Sequence, residues 1–315
     1  MKTLAVVLQG PRELALTHLA LDEPTEQDVV VDIEWSGIST GTERLLWSGR
    51  MPHFPGMGYP LVPGYESVGV VRSAGRDSGG TVGKRVFVPG AKCFGEVRGL
   101  FGGAASTVVL PGARTLAFEA GDDASAEQGV LLALAATAHH VSSAGGGAQP
   151  DLIIGHGVLG RMVARIAVAL GAAPVVWETN ALRREGGQGY QVCDPAADTR
   201  RDYRSICDVS GDASLLDTLI GRLAPGGEIV LAGFYDELLS FTFAPAFMRE
   251  ARIRIAAQWQ PQDLAAVRSL MQSGRLSLDG LITHRAQATE ADSAFRTAFG
   301  DPACLKMVLD WRSCK

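Results

Sequence analysis

One junction constrains this chain more than any other. The apolar run Asp151-Leu152-Ile153-Ile154 leads into Gly155-His156-Gly157-Val158-Leu159-Gly160, and a helix-like apolar stretch continues to Leu170. A strand that turns through glycines into a helix is the opening of a βαβ unit. Each glycine has a task there. Gly155 permits a tight turn, Gly157 lets backbone approach a diphosphate, and Gly160 lets helix pack close on strand. The free N–H groups at the helix start, His156, Val158 and Leu159 among the turn residues, then face a pyrophosphate with the positive end of the helix dipole. A dinucleotide is the ligand this geometry suits.

The second strand of such a unit, Pro174–Trp177, ends at Glu178, eighteen residues beyond Gly160. A carboxylate there accepts hydrogen bonds from ribose hydroxyls and repels a 2′-phosphate, so the expected cofactor is NAD, bound by Glu178 with Thr179, Asn180 and Arg183. Arg183 and Arg184 leave some NADP use open.

The pattern around this junction changes along the chain. The first 120 or so residues carry short β-branched runs (Thr3–Leu8, Val29–Glu34, Ser67–Arg72, Arg85–Val88) between Gly and Pro, which suits a small barrel. Ala126–Ser143 reads as one helix. Beyond it, strands at Ser205–Val209, Glu228–Ala232 and Ile253–Ala257 alternate with helices at Ala213–Leu223 and Pro245–Glu250, as in a doubly wound parallel sheet. The expected division is 1–123, 124–259, and a tail 260–315 that returns to the first domain through a helix at Glu290–Phe299 and a strand at Lys306–Asp310.

Several classes of function are disfavoured. The 315 residues carry a net charge of −5 with no clustered Lys and Arg, so nucleic acid is not an expected partner. The longest helical apolar stretch contains Arg161 and Arg165, so no transmembrane segment is expected. The five cysteines are scattered without a Cys-x-x-Cys pair, and the N-terminus has no long apolar leader, which together point to the cytoplasm.

Three further segments carry a resemblance. Ser36-Gly37-Ile38-Ser39-Thr40-Gly41-Thr42-Glu43 resembles a Gly-Ile-Cys-Gly-Thr-Asp motif. Pro60-Leu61-Val62-Pro63-Gly64-Tyr65-Glu66 resembles Pro-x-x-x-Gly-His-Glu, and Val82-Gly83-Lys84-Arg85-Val86 resembles Val-Gly-Asp-Arg-Val. These are motifs of the medium-chain dehydrogenase/reductases. The resemblance spans essentially the whole chain and implies an α/β protein: a GroES-like β-barrel domain joined to a Rossmann doubly wound parallel-sheet domain. It also implies an NAD-dependent alcohol dehydrogenase, and a homodimer.

The departures shape the expected chemistry. Zinc-binding members place Cys, His and Cys or Glu where this chain has Ser39 or Thr40, Tyr65, and Leu131 or Leu132. Hydroxyls and leucines are poor zinc ligands, so catalysis without zinc, and no other metal site, is expected. Hydrogen-bonding groups must then hold the substrate oxygen. Tyr65 is the first candidate, with Ser39, Thr40 and Thr42 as relay hydroxyls and Glu43 or Glu66 polarising them. His139 or His140, consecutive on a helix and so pointing apart, offers one imidazole as a proton carrier.

The run from Ser36 to Ser67, with Leu131–His140 and Phe247–Trp259, resembles the branch of the family that oxidises the hydroxyethyl group of a bacteriochlorophyllide. That resemblance implies a chlorin substrate. Residues 44–62 read as an irregular loop whose Trp47, Phe54 and Tyr59, with Met51 and Met57, would meet a flat apolar ring. Arg50 or Arg44 would pair with a propionate, and His53 would approach the central magnesium. Two alternatives stand beside this reading: a zinc-free NAD(P)H-dependent quinone or enone reductase, and a non-catalytic dinucleotide-binding protein.

Overall fold

A computed structural model of the protein describes residues 1–53, 55–118, 122–143 and 148–314. They form two compact units, residues 1–133 with 280–315 and residues 134–279.

In the first unit, β1 (Lys2–Gly10) and β2 (Glu13–Ala20) make a hairpin, extended by β4 (Leu61–Val62) and β7 (Arg98–Gly99). A second sheet centres on β3 (Asp28–Ile38), a long strand with Val29, Val30, Val31, Ile33 and Trp35 buried on both faces. Its order is β16 (His284–Gln287), β17 (Met307–Asp310), β3, β5 (Ser67–Ala74), β6 (Arg85–Val88) and β9 (Leu116–Ala117); β8 (Thr107–Pro111) also pairs with β3. The C-terminal tail therefore supplies two strands to the N-terminal sheet. Helix α8 (Ala291–Gly300) covers it by burying Ala291, Ala294, Phe295 and Ala298, a spacing of three and four residues that lines one helix face.

The second unit holds a sheet whose order is β12 (Gln191–Cys193), β11 (Val175–Trp177), β10 (Leu152–Ile154), β13 (Tyr203–Asp208), β14 (Leu223–Leu231) and β15 (Arg252–Ile255), with every pairing parallel. The chain starts at the centre, walks to one edge and restarts beside its origin, which is the doubly wound order. Helices α4 (Val158–Ala169), α5 (Leu216–Arg222) and α6 (Phe243–Met248) connect its strands.

Three details differ from the sequence reading. The helix expected over 126–143 is interrupted: α2 (Asp123–Gln128) and α3 (Leu132–Ser143) flank a 3-10 turn at Gly129–Leu131. Gly129 leaves room there for Phe118, whose ring would lie 2.6 Å from a Cβ. Residues 44–62 are not irregular throughout, because α1 (Thr42–Ser48) and β4 lie within them. Finally, α7 (Pro261–Gln272) falls in the second unit, where Asp263 bonds to His139 and His140 and the Ser277 and Asp279 carbonyls bond to Arg165. Those bonds put the division at 279/280 rather than 259/260, and the other division falls at 133/134 rather than 123/124.

Candidate active site

The first group of functional side chains gathers where β3 ends. Ser39 follows β3, Thr42 and Glu43 open α1, and Tyr65 and Glu66 lie just before β5. Gly64, at φ +101°, makes the turn that presents Tyr65, and a Cβ there would lie 2.6 Å from the Ala104 nitrogen. The Tyr65 hydroxyl lies 2.8 Å from Ser39 Oγ and is also hydrogen-bonded to the Thr42 side chain. Its ring meets Phe101 edge-on, centroids 5.5 Å apart. Burial, then the nearby Glu66 carboxyl, push the phenol well above its ordinary range, so Tyr65 is a neutral hydroxyl at any physiological pH. Thr40 is half-buried beside this pair and takes no part in these bonds.

Beneath the hydroxyls lies a set of charged groups cut off from water. Glu66 and Lys306 are both fully buried, and Lys306 Nζ donates to Glu66 Oε2 at 2.6 Å and to the Ile38 carbonyl at 3.2 Å. Gly37 allows this, since a Cβ there would lie 2.5 Å from Glu66 Oε2. Burial pushes the Glu66 carboxyl up, and Lys306 pulls it back only in part. Glu43, also buried, accepts the Ser39 N–H on Oε2 at 3.3 Å. Lys306 had no place among the residues singled out from the sequence. Its only signal was a single cation inside the apolar run Cys304–Leu309.

At the positions that the motif resemblance aligns with zinc ligands, this chain offers the hydroxyls of Ser39 or Thr40 and of Tyr65, and the buried aliphatic chains of Leu131 or Leu132, which carry no donor atom. That set does not fit zinc, which takes thiolate, imidazole or carboxylate.

The chlorin-facing residues divide. Trp47 stands on α1 against the core, its ring 5.5 Å from Phe299 and between the guanidinium groups of Arg12 and Arg296. Tyr59 donates to the Leu46 carbonyl and packs with Met51 and Met57 on the cluster of Leu8, Leu46, Leu61 and Leu100. Helical spacing hides this, because apolar residues over one short helix and a coil share no single period. Arg44, Arg50 and His53 stand toward solvent. Phe54 lies outside the described residues.

In the second unit the glycine turn has the geometry its spacing implied. Gly155 sits at φ +99°. A Cβ on Gly157 would meet nothing within 4 Å, whereas one on Gly160 would lie 1.9 Å from the Gly155 carbonyl oxygen. One position leaves space for a ligand and another leaves none for a side chain. The residues therefore fit a dinucleotide: the N–H groups opening α4 would hold its phosphates, and Glu178 its ribose.

Glu178 is more tightly held than expected. It is buried, accepting the N–H of His156 at 3.0 Å and of Asn180 at 2.8 Å. Each oxygen retains a further lone pair. His156 spends its own N–H on this bond, and its ring is buried behind the turn between the Arg183 carbonyl and the Tyr190 hydroxyl. Burial holds its pKa down at about 4, so the ring is neutral. Arg161 closes the same network by donating to the carbonyls of His156, Arg183, Glu185 and Gly186. Thr179 is exposed, and Arg184 is tied to the Glu178 and Thr179 carbonyls and to Asp194.

His139 and His140 do not point apart. Both rings turn to one carboxylate, His139 Nδ1 at 2.8 Å from Asp263 Oδ1 and His140 Nδ1 at 2.9 Å from Oδ2. The Gln260 N–H also bonds to Asp263, which caps α7. Burial alone would raise the Asp263 carboxyl; the Gln260 N–H and the two rings outweigh it and hold it below its ordinary range.

A GroES-like unit joined to a doubly wound nucleotide-binding unit defines a class, the alcohol-dehydrogenase-like oxidoreductases. Residues 25–120 match the alcohol dehydrogenase GroES-like domain. The 2-desacetyl-2-hydroxyethyl bacteriochlorophyllide A dehydrogenase of Cereibacter sphaeroides is 57% identical over 99% of both chains, and that of Rhodobacter capsulatus 56% over the whole of both. Among solved structures, 2R,3R-butanediol dehydrogenase from Bacillus subtilis superposes with a TM-score of 0.83 over 98% of this chain and 99% of that one, at 20% identity. The chain belongs to the medium-chain dehydrogenase/reductase family, and it is an oxidoreductase acting on CH–OH groups. Among the described residues no helix is long and apolar enough to cross a membrane.

Proposed function

We propose that this protein oxidises the 3-(1-hydroxyethyl) substituent of a bacteriochlorophyllide a precursor to 3-acetyl, using NAD⁺ and no catalytic zinc. The observation that carries the substrate is identity above half, over the full length, with two dehydrogenases named for that group. When bound, the oxidised nicotinamide accepts hydride from the carbinol carbon. The chain's own part is to hold the carbinol oxygen and take its proton. The Tyr65 oxygen, fixed by Ser39 and Thr42, accepts the hydrogen bond of the carbinol O–H, and the hydroxyl relays that proton by passing its own to Ser39 while staying neutral. Thr40 lines the same turn. Glu66, neutralised by Lys306, holds the framework in place, and His139 and His140 brace α7 through Asp263 rather than carry protons.

Glu178 supports NAD, since its carboxylate would repel a 2′-phosphate and Arg184 is committed elsewhere. We assign Arg50 or Arg44 to a propionate and His53 to the central magnesium, all three being exposed, while Trp47 and Tyr59 pack on the apolar cluster of the same segment. We also infer a homodimer. Among the described residues β15 is a sheet edge, and Phe247, Met248 and Ile255 are exposed close to it in sequence. Mass spectrometry of the pigment after incubation with the protein and NAD⁺ tests the reaction. The expected product is lighter by two hydrogens; unchanged pigment with both NAD⁺ and NADP⁺ would refute it.

A further inference from the structure

Two carboxyl groups and one ammonium group share the dry space under the hydroxyl pair. Lys306 bonds to Glu66, which leaves Glu43 without a cation of its own. Glu43 Oε2 accepts the Ser39 N–H, but Oε1 has no hydrogen-bond partner although it is buried, and Glu66 Oε1 is in the same state. A buried polar atom without a partner costs free energy that a fold normally removes. Two carboxylates sharing one cation also cannot both ionise cheaply. The groups facing Glu43 are Tyr65 and Glu66 ahead of β5, Lys306 ahead of β17, and the N–H groups of Ser39 and Gly64.

We propose that Glu43 is the internal proton acceptor of the oxidation, acting through the Ser39–Tyr65 hydroxyl pair, with the Glu66–Lys306 ion pair fixing the charge around it. This rests on the reading that Tyr65 meets the substrate oxygen. The carbinol C–H bond breaks, and its electron pair leaves as hydride to the oxidised nicotinamide. The O–H proton passes to the Tyr65 oxygen as the phenol's own proton moves to Ser39 Oγ. The Ser39 hydroxyl, turning from Tyr65, gives its proton to the Glu43 carboxylate. Both hydroxyls end as they began, and the products are ketone, reduced nicotinamide and a protonated Glu43.

The position suits that task. Burial, then the Glu66 carboxyl, push the Glu43 carboxyl up to about 8, against the pull of Lys306 and of the Ser39 and Gly64 N–H groups. A group that changes charge near neutral pH can take a proton in one direction of the reaction and return it in the other. Tyr65, held far above its ordinary range, cannot be the resting base.

The test is the pH profile of kcat/KM for the hydroxyethyl pigment with NAD⁺, in the wild type, E43Q, E43D and Y65F. The wild type should rise with pH through an inflection near 8. E43Q should lose about 10²-fold and the inflection with it, E43D should keep an inflection, and the Kd for NAD⁺ should stay unchanged in both. Infrared spectra of the wild-type protein without pigment should show a protonated-carboxyl stretch that disappears across the same pH range, a readout that needs neither turnover nor a variant. A Y65F enzyme that is crippled while E43Q keeps the wild-type rate and inflection would overturn the Glu43 assignment and leave Tyr65 standing. A fully active Y65F would overturn the reading beneath it, and no loss of the carboxyl stretch near pH 8 would overturn the assignment on its own.

Discussion

Lys306 is a charged side chain with no access to water, so its cost depends entirely on what it meets. It meets the Glu66 carboxylate at 2.6 Å and the Ile38 carbonyl. Removing one member of such a pair leaves an uncompensated buried charge, which costs about 3–5 kcal/mol, whereas removing both is often near neutral. Lys306→Met should therefore lower the denaturation midpoint sharply, and the double variant K306M/E66Q should regain most of the loss. Urea titrations of the three proteins check this; equal losses in the single and double variants would contradict it. At this scale the sequence was partly legible. Tyr65 and Ser39 or Thr40 stood out because hydroxyls occupy ligand positions of a known motif, and Thr42 as a further hydroxyl beside them. Lys306 did not, because its partner is 240 residues away and only the strand pairing of β17 with β3 brings them together.

The βα turn from β10 into α4 shows how much one element can reveal through the spacing of its glycines. The three glycines differ in what a methyl group would do, and the difference is measurable. Gly160→Ala drives a Cβ to 1.9 Å from the Gly155 oxygen and should cost about 1–3 kcal/mol of stability. Gly157→Ala meets nothing, so its melting temperature should stay close to that of the wild type. Its methyl group would instead occupy the space left for the phosphates and weaken dinucleotide binding about tenfold or more, some 1.4 kcal/mol. Thermal unfolding alongside calorimetric titration with NAD⁺ separates the two, and a Gly157→Ala protein that binds NAD⁺ normally would contradict this account. Strong periodicity made this turn and the central strands readable. Helix α1 was not, because seven residues barely complete two turns and its buried positions, Glu43 and Leu46, include a carboxylate that no apolar pattern would flag. The convergence of His139 and His140 was hidden for a similar reason: helical geometry sends neighbours apart, but two long rings can still reach the two oxygens of one carboxylate supplied by a distant helix.

On the scale of the whole molecule, the order of strands explains why the chain forms two units although its N- and C-termini belong to one. The tail strands β16 and β17 pair onto β3, so residues 280–315 complete the sheet that positions the hydroxyl cluster. The exposed edge β15 and the side chains Phe247 and Ile255 are the features a second copy would cover. Ile255→Lys, which adds a charge to an unpaired strand edge, should convert a dimer to a monomer by light scattering while the far-ultraviolet spectrum stays native. A variant whose mass matches the wild type would contradict the proposed interface.

Oxidation of the hydroxyethyl group can be followed in the absorption spectrum of the pigment itself. The purified protein is mixed with NAD⁺ and 3-(1-hydroxyethyl) bacteriochlorophyllide a, and the long-wavelength band of the pigment is followed. An acetyl group conjugates a carbonyl with the macrocycle, so the band should shift to the red only when NAD⁺ is present and in step with NADH formation. A pigment band that stays in place with NAD⁺ and with NADP⁺, in protein shown to bind the dinucleotide, would contradict the proposed oxidation.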